Sequence, residues 1–560
     1  MTCRMTRLIS MACALAATVT MGASQAQAAK CTDTINPSVP LLSNGFAFNT
    51  SNTRHQASSI NSSNVASLTL AHVHVAEGAK EKKGAPAVTQ QTVYFSEGRE
   101  IVAANRISGC EYWRFSDAAK NTSLIGGNTI RSSSIYLLPA TLFKPAMVYA
   151  GDFFGNFYGL NARNGTLVWQ AFMGTDTGRH FITGSAQAYN GTLFIPVATK
   201  EVITTVLDLL TACCQTHGLL RAVDPYTGQV KWTYHTSADA TYNANTGMRG
   251  PSGMSLWSTP LIDAANGSVI VGTAQNLSLP ATTNSDSIVA LDINTGKPKW
   301  VYQSTAGDAW NAGCQAPVGL DGHCPRPEGG DFDFGAPPIL ATLPNGGKAI
   351  IAGAKNGVVY SINPKTGTLN WSKRLGAGGS LGGIHWGMAL DATKVYAAVT
   401  DIRVNKIQQL EISDLFGPLK DAIGRNMAPS PNAKPGLYAL DLATGNVVWE
   451  KHLTHDFQGA PYPSLFSAAL AVTNDVLLAG NLNGEVKAFR TGNGDELWSY
   501  NTAVNVIDVD GVTGNGGTID SVGPVPAGRD LFVNSGYNSF GAANAYQAGP
   551  GNALFVFRLP

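Results

Sequence analysis

Short apolar runs, each followed by a glycine turn and a tryptophan, recur seven times along the chain. The runs alternate apolar and polar positions, as expected for strands with one buried face. Each tryptophan lies four residues after the turn glycine, and the seven are Trp113, Trp169, Trp232, Trp300, Trp371, Trp449 and Trp498. Their spacings are 56, 63, 68, 71, 78 and 49 residues. Repeats of this length are typical of folds assembled from one supersecondary unit.

Each repeat predicts a β-hairpin in which the tryptophan has a fixed position. In the copy ALDINTGKPKW (Ala290–Trp300), the Thr-Gly pair allows two antiparallel strands to reverse direction. A large ring at one site per repeat is best explained as a wedge between neighbouring sheets. Two further strand-like segments precede each hairpin, here SLWSTPLID and SVIVGTA. Four strands per repeat predict a propeller blade.

The number of blades follows from what remains at the two chain ends. Seven repeats are clear, and an eighth combines residues 518–538, the C-terminal run ALFVFRL and an N-terminal strand. Such closure removes exposed sheet edges. We therefore predict an all-β, eight-bladed β-propeller with tryptophan-docking motifs, as a single domain over residues 30–560; a seven-bladed ring is the alternative.

Composition narrows the function classes. Charged residues are 13% of the 560 residues and the formal net charge is +1, which excludes a basic nucleic-acid-binding surface. The 61 glycines agree with many tight turns. No run of 18 apolar residues follows the N-terminal region, so we expect no membrane span.

Residues 1–29 have the layout of a cleaved secretory signal. Arg4 and Arg7 precede an apolar stretch, and Ala26-Gln27-Ala28 provides small residues for cleavage. We therefore expect the protein in the periplasm or secreted, where disulfides form. The remaining cysteines suit three bridges: an adjacent pair, a short loop, and one long-range pair. These pairs are Cys213–Cys214, Cys314–Cys324 and Cys31–Cys110, although spacing alone does not establish connectivity.

The repeated motif A-x-D-x-x-T-G-x-x-x-W resembles the tryptophan-docking motif of the quinoprotein alcohol dehydrogenases. In that family, an eight-bladed propeller holds pyrroloquinoline quinone (PQQ) and a metal ion in a central funnel. Longer blocks are similar to the polyvinyl alcohol dehydrogenases: GPSGMSLWSTPLID, TAGDAWNAGC, GDFDFGAPPIL and LGGIHWGMAL. The resemblance implies a periplasmic PQQ- and metal-dependent enzyme that oxidises secondary or primary alcohols, such as polyvinyl alcohol, by hydride transfer to PQQ.

The resemblance also implies a set of cofactor-binding residues. Trp257 matches the tryptophan on which PQQ lies flat, and an indole suits a planar conjugated ring. Lys355 matches the cation beside the quinone oxygens. Cys213 and Cys214 form an adjacent pair that, in the relatives, caps the cofactor. The full set is Arg131, Thr183, Cys213, Cys214, Trp257, Lys355, His385 and Trp386.

The implied metal ligands are oxygen donors, which calcium prefers. Glu201 matches the metal-binding glutamate of the family, whereas Gln275, followed by Asn276, stands where the family has asparagine. Asp331 and Asp333 complete the set, and the acid at Asp333 leaves a lanthanide as the alternative to calcium.

Asp331 is the predicted general base. The family base directly follows a D-x-W triplet, but here Asp308-Ala309-Trp310 is followed by Asn311. We interpret residues 311–330 as an insertion after which the pattern resumes at Asp331. Asp308 is the alternative base.

Electrons must leave for a separate cytochrome c or another acceptor, because no C-x-x-C-H haem motif occurs. Two other functions compete with this one. A non-catalytic propeller scaffold for outer-membrane protein assembly would use the same repeats, and a hydrolase or lyase would use the carboxylates without a quinone. The scaffold requires none of Glu201, Trp257 or Lys355.

Overall fold

The chain forms a ring of eight antiparallel sheets. The computed structural model describes residues 29–79, 81–117, 134–204, 212–245, 247–408, 420–537, 546 and 548–560. Within these residues, six sheets have four strands, and the sheets of blades 1 and 3 have five. The predicted eight-bladed propeller is therefore confirmed, and the seven-bladed alternative is excluded. Residues 1–28 of the predicted signal lie outside the described residues.

The first four blades follow one another along the chain. Their strands are Leu41–Ser43, Ala87–Thr89, Thr92–Glu97, Glu100–Asn105 and Glu111–Ser116 in blade 1; Tyr136–Leu138, Met147–Gly151, Asn156–Asn161 and Leu167–Phe172 in blade 2; His180–Phe181, Gln187–Tyr189, Thr192–Thr199, Leu219–Val223 and Val230–His235 in blade 3; Leu261–Asp263, Ser268–Gly272, Ser287–Asp292 and Pro298–Gln303 in blade 4. In each blade, every strand pairs antiparallel with its neighbour.

The last four blades repeat this arrangement. Their strands are Ile339–Thr342, Lys348–Gly353, Val358–Ile362 and Leu369–Arg374 in blade 5; Ala389–Leu390, Lys394–Val399, Gly436–Asp441 and Val447–Lys451 in blade 6; Ala471–Thr473, Val476–Gly480, Glu485–Arg490 and Glu496–Asn501 in blade 7; Val525–Ala527, Asp530–Ser535, Ala553–Arg558 and Thr69–Val75 in blade 8.

Smaller elements lie in the loops between strands. Five two-stranded ribbons pair Thr241–Asn243 with Met248–Gly250, Ser252–Gly253 with Asn276–Ser278, Ile402–Val404 with Met427–Pro429, Thr454–Phe457 with Ala460–Pro463, and Asn505–Ile507 with Thr513–Asn515. The helices of the described residues are short: Glu201–Thr204 and Lys420–Arg425 are α-helical, and Val65–Ser67 and Ala312–Gln315 are 3₁₀. None of the helices described here is long and apolar enough to cross a membrane.

Blade 8 closes the ring with both ends of the chain. Its N-terminal strand Thr69–Val75 pairs antiparallel with the C-terminal strand Ala553–Arg558, in a register that aligns Thr69 with Arg558. This confirms the predicted closure, which leaves no open edge between the first and last blades. The disulfides Cys31–Cys110, Cys213–Cys214 and Cys314–Cys324 also form as predicted.

The repeated tryptophans lie between blades, as predicted. The Trp169 indole N–H donates to the Pro225 carbonyl of the next blade at 2.7 Å, and its ring covers Gly228. A Cβ at Gly228 would come within 3.0 Å of that ring. The same contact recurs at the pairs Trp113–Gly165, Trp232–Gly296, Trp300–Gly367, Trp371–Gly445 and Trp449–Gly494. Each turn glycine is thus required both for its positive φ and for the room it leaves to the preceding blade.

Apolar clusters lie at the blade-to-blade contacts. One of them joins Ile351 of blade 5 to Val395, Val399 and Leu440 of blade 6, and all four side chains are buried. Each blade therefore buries its faces mainly against its two neighbours, as in other repeat proteins. The ring as a whole is the unit of stability.

We expect Gly296→Ala to destabilise the protein more than Gly267→Ala. Both glycines have positive φ, at +71° and +58°, so each alanine costs about 1–2 kcal/mol in backbone strain. A Cβ at Gly296 also collides with the Trp232 ring, whereas none lies within 4 Å at Gly267. Overpacking adds about 1–3 kcal/mol. Thermal unfolding midpoints of the two variants measure the difference, and equal midpoints would contradict the docking role of the tryptophan.

Candidate active site

The blade topology brings the predicted site residues to one face of the ring. In a four-stranded antiparallel blade, the first strand begins at the same edge where the second strand ends. Three predicted residues each lie four residues before a strand that pairs with the long second strand of its blade. They are Thr183, Trp257 and His385, and the strands begin at Gln187, Leu261 and Ala389. Asp331 and Asp333 precede the first strand of blade 5.

The other predicted residues follow second strands. Glu201 comes after the strand that ends at Thr199, Gln275 follows Gly272, and Lys355 follows Gly353. The two sets therefore share one edge of the blades, although the sequence separates them widely. This edge forms the candidate active site.

A buried lysine and two buried aspartates form the centre of the site. Lys355 Nζ lies 3.2 Å from Asp331 Oδ1 and 3.0 Å from Asp333 Oδ1. Trp257 Nε1 donates a hydrogen bond of 2.8 Å to Asp333 Oδ2, and Lys355 Nζ lies 5.5 Å from the centre of the Trp257 ring. The structure thus joins Asp331, Asp333, Lys355 and Trp257 in one contact network.

The electrostatics of this centre are set by burial and mutual contact. Burial raises the pKa of Asp331 well above its usual range; Lys355 opposes this rise, and the nearby Asp333 carboxyl adds to it. The pKa of Asp333 is also raised, chiefly by burial. Burial alone would lower the pKa of Lys355, but the two carboxyl groups outweigh it and raise that pKa. Lys355 therefore stays a cation.

Asp308 holds the loop that carries Asp331. Its Oδ1 accepts the Gly330 N–H at 2.9 Å and the Asp331 N–H at 3.4 Å, and its Oδ2 accepts the Phe332 N–H at 2.8 Å. Asp331 itself has φ +58°, a left-handed conformation that is unfavourable for aspartate. The Asp308 carboxyl group already accepts these three amide hydrogen bonds. Because Asp308 is occupied in this way, Asp331 is favoured over it as the group that faces a substrate.

The segment between these aspartates folds as a separate loop. Asn311 Nδ2 donates to the carbonyls of Leu277 and His323, at 2.9 and 2.7 Å, and the Cys314–Cys324 bridge closes the loop. Asn311 therefore has a structural role, which agrees with the interpretation of residues 311–330 as an insertion.

Glu201 lies in a different part of the same face. Its carboxylate accepts the backbone N–H groups of Gln215 and Thr216 and the Thr216 hydroxyl, at 2.6–2.9 Å. Arg179 Nε lies 3.7 Å from Glu201 Oε1. The neighbouring Val202 packs against the cluster of Trp310, Cys314 and Cys324, and the Trp310 carbonyl accepts the Gln275 amide. Glu201 and Gln275 are thus each next to a residue that belongs to or contacts this cluster.

The two amide side chains after blade 4 differ in what they bind. Asn276 Nδ2 donates to the Ser252 carbonyl at 3.1 Å, and its Oδ1 accepts the Thr282 N–H at 2.8 Å, so both ends are occupied. Gln275 Nε2 donates to the Trp310 carbonyl at 3.2 Å, but its Oε1 is buried without a hydrogen-bond partner among the described residues. An unpaired buried carbonyl oxygen is costly unless a ligand uses it.

The acidic side chains do not gather into a compact cluster. Among the described residues, one group of three His, Cys, Asp or Glu side chains has its ligand atoms within 4.8 Å of one another: Cys314, Cys324 and Glu328. Its two cysteines are disulfide-bonded. Asp331 and Asp333 instead contact Lys355, whereas the Glu201 carboxyl group accepts hydrogen bonds from backbone amides.

The remaining predicted residues differ in whether they contact Trp257 at the centre of the site. His385 and Trp386 are buried beside Trp257, with ring centres 6.1 and 5.3 Å from its ring. Thr183 is half-buried, and its neighbour Gly184 lies against the Trp257 backbone carbonyl. The Cys213–Cys214 disulfide is buried against Leu277. The contacts of these cysteines in the described structure do not include Trp257. Arg131 lies outside the described residues.

Sequence reasoning missed three buried polar residues on this face. Ser467 lies four residues before the first strand of blade 7, the same offset that marks Trp257 and His385, and Asp520 lies five residues before the first strand of blade 8. The position four residues before a first strand is the sequence signal by which Ser467 could have been found. Asp286 is fully buried, and neither carboxyl oxygen meets a donor in the described part of the chain. Burial, followed by the nearby Asp308 carboxylate, raises the pKa of Asp286 well above its usual range.

Two family models and several known proteins are similar to this chain. A family model described as a glucose/ethanol/alcohol dehydrogenase β-propeller domain matches residues 46–321, and one described as outer membrane protein assembly factor BamB matches residues 250–549. The chain is 31% identical over 552 residues to a polyvinylalcohol dehydrogenase from a Pseudomonas species, covering 95% of this chain and 79% of that protein.

A second relative and a solved structure extend the comparison. The chain is 30% identical to a polyvinylalcohol dehydrogenase from a Sphingopyxis species, over 82% of this chain and 67% of that protein. The fold matches the quinohemoprotein alcohol dehydrogenase from Comamonas testosteroni with a TM-score of 0.65 at 21% identity, over 93% of this chain and 82% of that one. Together these matches define a PQQ-dependent alcohol dehydrogenase. The chain belongs to the polyvinyl alcohol dehydrogenase family.

We expect Asp308→Ala to loosen the loop that carries Asp331. The substitution removes the acceptor of three backbone N–H groups, and a hydrogen bond to a charged group contributes about 1.5–3 kcal/mol. Amide hydrogen exchange at residues 330–332 should accelerate roughly tenfold or more. Asp401→Ala is the matched control, because Asp401 accepts the N–H groups of Ala377 and Gly378 in blade 6. Unchanged exchange at 330–332 in the Asp308 variant would refute this role.

Proposed function

We propose that this enzyme acts in the periplasm on polyvinyl alcohol or another secondary or primary alcohol, and passes electrons to a separate cytochrome c or another acceptor. The observation that carries the proposal is the buried Lys355 between Asp331 and Asp333, beneath the Trp257 indole. In this proposal Asp331 is the general base, Lys355 the fixed cation and Trp257 the aromatic platform, and the three belong to one contact network. Alcohol oxidation by a quinone uses all three.

The aromatic side of the site fits a planar cofactor. Trp257 is held from two directions, by its hydrogen bond to Asp333 and by Gly335, where an added Cβ would overlap the indole. A fixed indole provides a flat apolar surface for a conjugated ring. When bound, PQQ supplies the two-electron acceptor. We assign Thr183, Arg131, His385, Trp386 and the Cys213–Cys214 pair to the same pocket because the family resemblance places them there.

Asp331 is the group that we assign to proton removal. A general base must lie within hydrogen-bond reach of the substrate hydroxyl and away from competing donors. The backbone amides of its loop are taken up by Asp308, which leaves the Asp331 carboxyl with Lys355 as its ion-pair partner. Lys355 favours the charged, proton-accepting form of Asp331, and its fixed charge stabilises negative charge that develops nearby.

Two oxygen donors on this face are of the kind that calcium binds. Gln275 Oε1 is a buried acceptor without a protein donor among the described residues, and Glu201 offers a carboxylate on the adjacent loop. Calcium takes carboxylate and amide carbonyl oxygens. We propose Glu201 and Gln275 as ligands of calcium on this ground, and Asp331 and Asp333 because the family resemblance implies them, with a lanthanide as the alternative ion. Asn276 is the weaker candidate because its carbonyl oxygen already accepts from Thr282.

The buried charges favour the enzyme over a propeller scaffold. Placing Lys355, Asp331 and Asp333 out of solvent costs free energy that hydrophobic side chains would not. A scaffold built on docking tryptophans would not need these buried charged groups. A hydrolase or lyase would use the carboxylates but would have no use for the partly buried indole of Trp257 as a flat platform.

We expect the purified protein to bind PQQ with calcium and to reduce an artificial dye when an alcohol is added. Asp331→Asn should bind PQQ normally but lose turnover by at least about a hundredfold, the contribution typical of a general base. Dye-linked assays with polyvinyl alcohol and a panel of short secondary and primary alcohols measure both the activity and the substrate class.

Asp308→Asn is the control for this experiment. It should retain measurable turnover, because Asp308 holds the loop and does not receive the substrate proton. Loss of turnover in Asp308→Asn together with retained turnover in Asp331→Asn would exchange the two roles. Absence of PQQ binding with any metal ion would refute the proposed chemistry altogether.

Calcium binding should distinguish the two amide side chains. Gln275→Ala removes the unpaired carbonyl oxygen, so calcium affinity of the PQQ-loaded protein should fall at least about tenfold. Asn276→Ala removes contacts to Ser252 and Thr282 and should lower thermal stability with a smaller effect on calcium. Isothermal titration with calcium, and with a lanthanide in parallel, measures both affinities. The opposite ranking would assign the ligand to Asn276.

A further inference from the structure

Residues 44–56, the axial segment, run close to the axis of the ring. The second residue of the first strand in each of blades 4–7 donates its backbone N–H to a carbonyl oxygen of this segment. The four bonds are Ile262 to Thr50 at 3.0 Å, Leu340 to Ser51 at 2.9 Å, Leu390 to Thr53 at 3.1 Å and Val472 to Arg54 at 2.9 Å. Five extended residues span at most about 18 Å, so residues 50–54 reach four blades only because they lie near the axis.

The axial segment lies next to the aromatic platform of the proposed site. Its donors in blades 4 and 6 come five residues after Trp257 and His385. Phe46 and Phe48 of the axial segment belong to one buried apolar cluster with Trp386, and Trp257 packs against that cluster. The axial segment and the platform are therefore packed together, although more than 200 residues separate them along the chain.

Arg54 of the axial segment is fully buried, and its guanidinium group donates to backbone carbonyl oxygens. Nη2 donates to the Val522 carbonyl at 2.8 Å, while Nε and Nη1 donate to the carbonyls of Leu470 and Phe46. Cζ lies 4.5 Å from the centre of the Phe48 ring. In the described part of the chain, no carboxylate forms an ion pair with this guanidinium group. Its partners are therefore neutral groups of the backbone.

The acceptors of Arg54 belong to three parts of the chain around the axis. Leu470 directly precedes the first strand of blade 7, Val522 precedes that of blade 8, and Phe46 belongs to the axial segment. Leu470 also donates its own N–H to the Gly387 carbonyl at 3.2 Å, just before the first strand of blade 6. A guanidinium group presents five N–H donors in a planar fork, so one side chain joins all three parts.

Close packing at Gly387 extends this link to the platform. A Cβ built at Gly387 would lie 3.5 Å from Arg54 Cδ and 3.5 Å from Phe46 Cε1. The residue before Gly387 is Trp386, whose ring centre lies 5.3 Å from that of Trp257. A displacement of Arg54 or of Phe46 would therefore act on the backbone that carries the Trp386 ring.

The backbone of the axial segment is held in an unfavourable conformation. Phe48, Asn52 and Arg54 have φ of +71°, +56° and +47°, the left-handed region that residues with a side chain rarely adopt. Such conformations persist only where surrounding contacts determine them. The hydrogen bonds of Arg54 are among these contacts.

We propose that Arg54 is a positioning residue for the cofactor platform. Its guanidinium group fixes the axial segment against Leu470 and Gly387, and in this way it sets the positions of the Trp386 and Trp257 rings. The inference deepens the proposed function and rests on it for the identity of the ligand, because the platform then receives PQQ. The position of the two rings can be measured without the cofactor.

The test is the response of individual tryptophans in cofactor-free protein labelled with 5-fluorotryptophan. The chain contains ten tryptophans, and Trp257→Phe and Trp386→Phe identify the two fluorine NMR signals of interest. Arg54→Lys keeps the charge but loses the planar fork. It should move the Trp257 and Trp386 signals and leave that of the docking residue Trp169 in place. Unmoved signals of the two platform residues, or equal changes at Trp169, would overturn the proposal.

Two further variants separate positioning from a general loss of stability. Arg221→Lys is the matched control, because Arg221 of blade 3 donates to the carbonyls of Met173 and Gly174 at 2.9 and 3.0 Å. It should leave both platform signals unchanged. Phe48→Leu removes the ring beside the guanidinium group and should move the signals in the same direction as Arg54→Lys, by a smaller amount. If Arg54→Lys does not fold, unmoved signals in Phe48→Leu would overturn the proposal.

PQQ binding tests the functional part of the inference. The affinity for PQQ should fall at least about tenfold in Arg54→Lys, because small displacements of positioning groups are costly. Once PQQ and alcohol are saturating, kcat should change less than about twofold, since the ion pair of Asp331 with Lys355 does not involve Arg54. Equal affinities in Arg54→Lys and Arg221→Lys, or a loss of kcat as large as the loss of affinity, would overturn it. If the wild type binds no PQQ, the proposed function fails, and the fluorine spectra still decide whether Arg54 positions the two rings.

Discussion

The contact between a tryptophan and the turn glycine of the next blade is the constraint on which the whole structure depends. Six of the seven repeated rings lie on a glycine that has neither a Cβ nor a negative φ, so adjacent blades approach more closely than larger residues would permit. Repeated around the ring, this contact fixes the spacing of the blades. The candidate site consists of side chains from at least five blades, and their distances follow from this spacing. The stability of the ring and the geometry of the site therefore share one origin.

The buried charged groups of the site destabilise the fold, and they lie where the packed blades are rigid. Lys355, Asp331 and Asp333 are buried together, and such groups are destabilising unless their charges and hydrogen bonds are matched. Here Asp333 meets Lys355 and the Trp257 N–H, while the Asp331 loop is held by Asp308. The large apolar contacts between blades offset this unfavourable free energy of burial. A rigid ring thereby keeps polar groups desolvated, the condition in which fixed charges act most strongly on a reaction.

The sequence predicts the fold better than it predicts the site. The hairpin repeat determines the blades, and the leftover strands at both ends predict their closure, because both are local patterns with a fixed period. Trp257 and Lys355 were found through family resemblance, since nothing in their local sequence shows that they meet. Ser467 was missed because its partner His385 belongs to another blade, and Asp520 and Asp286 were missed because their burial is a property of the folded ring. Gln275 and Asn276 differ in whether the side-chain oxygen is free. This difference depends on contacts with Trp310, Ser252 and Thr282, which residue spacing in the sequence does not reveal.

The balance of charge at the centre connects the geometry with the proposed metal. Asp286 is neutral, because burial and the neighbouring Asp308 carboxylate raise its pKa well above the usual range. Lys355 is then the cation that faces the carboxyl groups of Asp331 and Asp333, with Asp308 behind them. Burial raises the pKa of Asp331, and the charge of Lys355 opposes that rise. A divalent cation at the Gln275 oxygen would act in the same direction as Lys355, and it would favour the ionised form of Asp331 that proton removal requires.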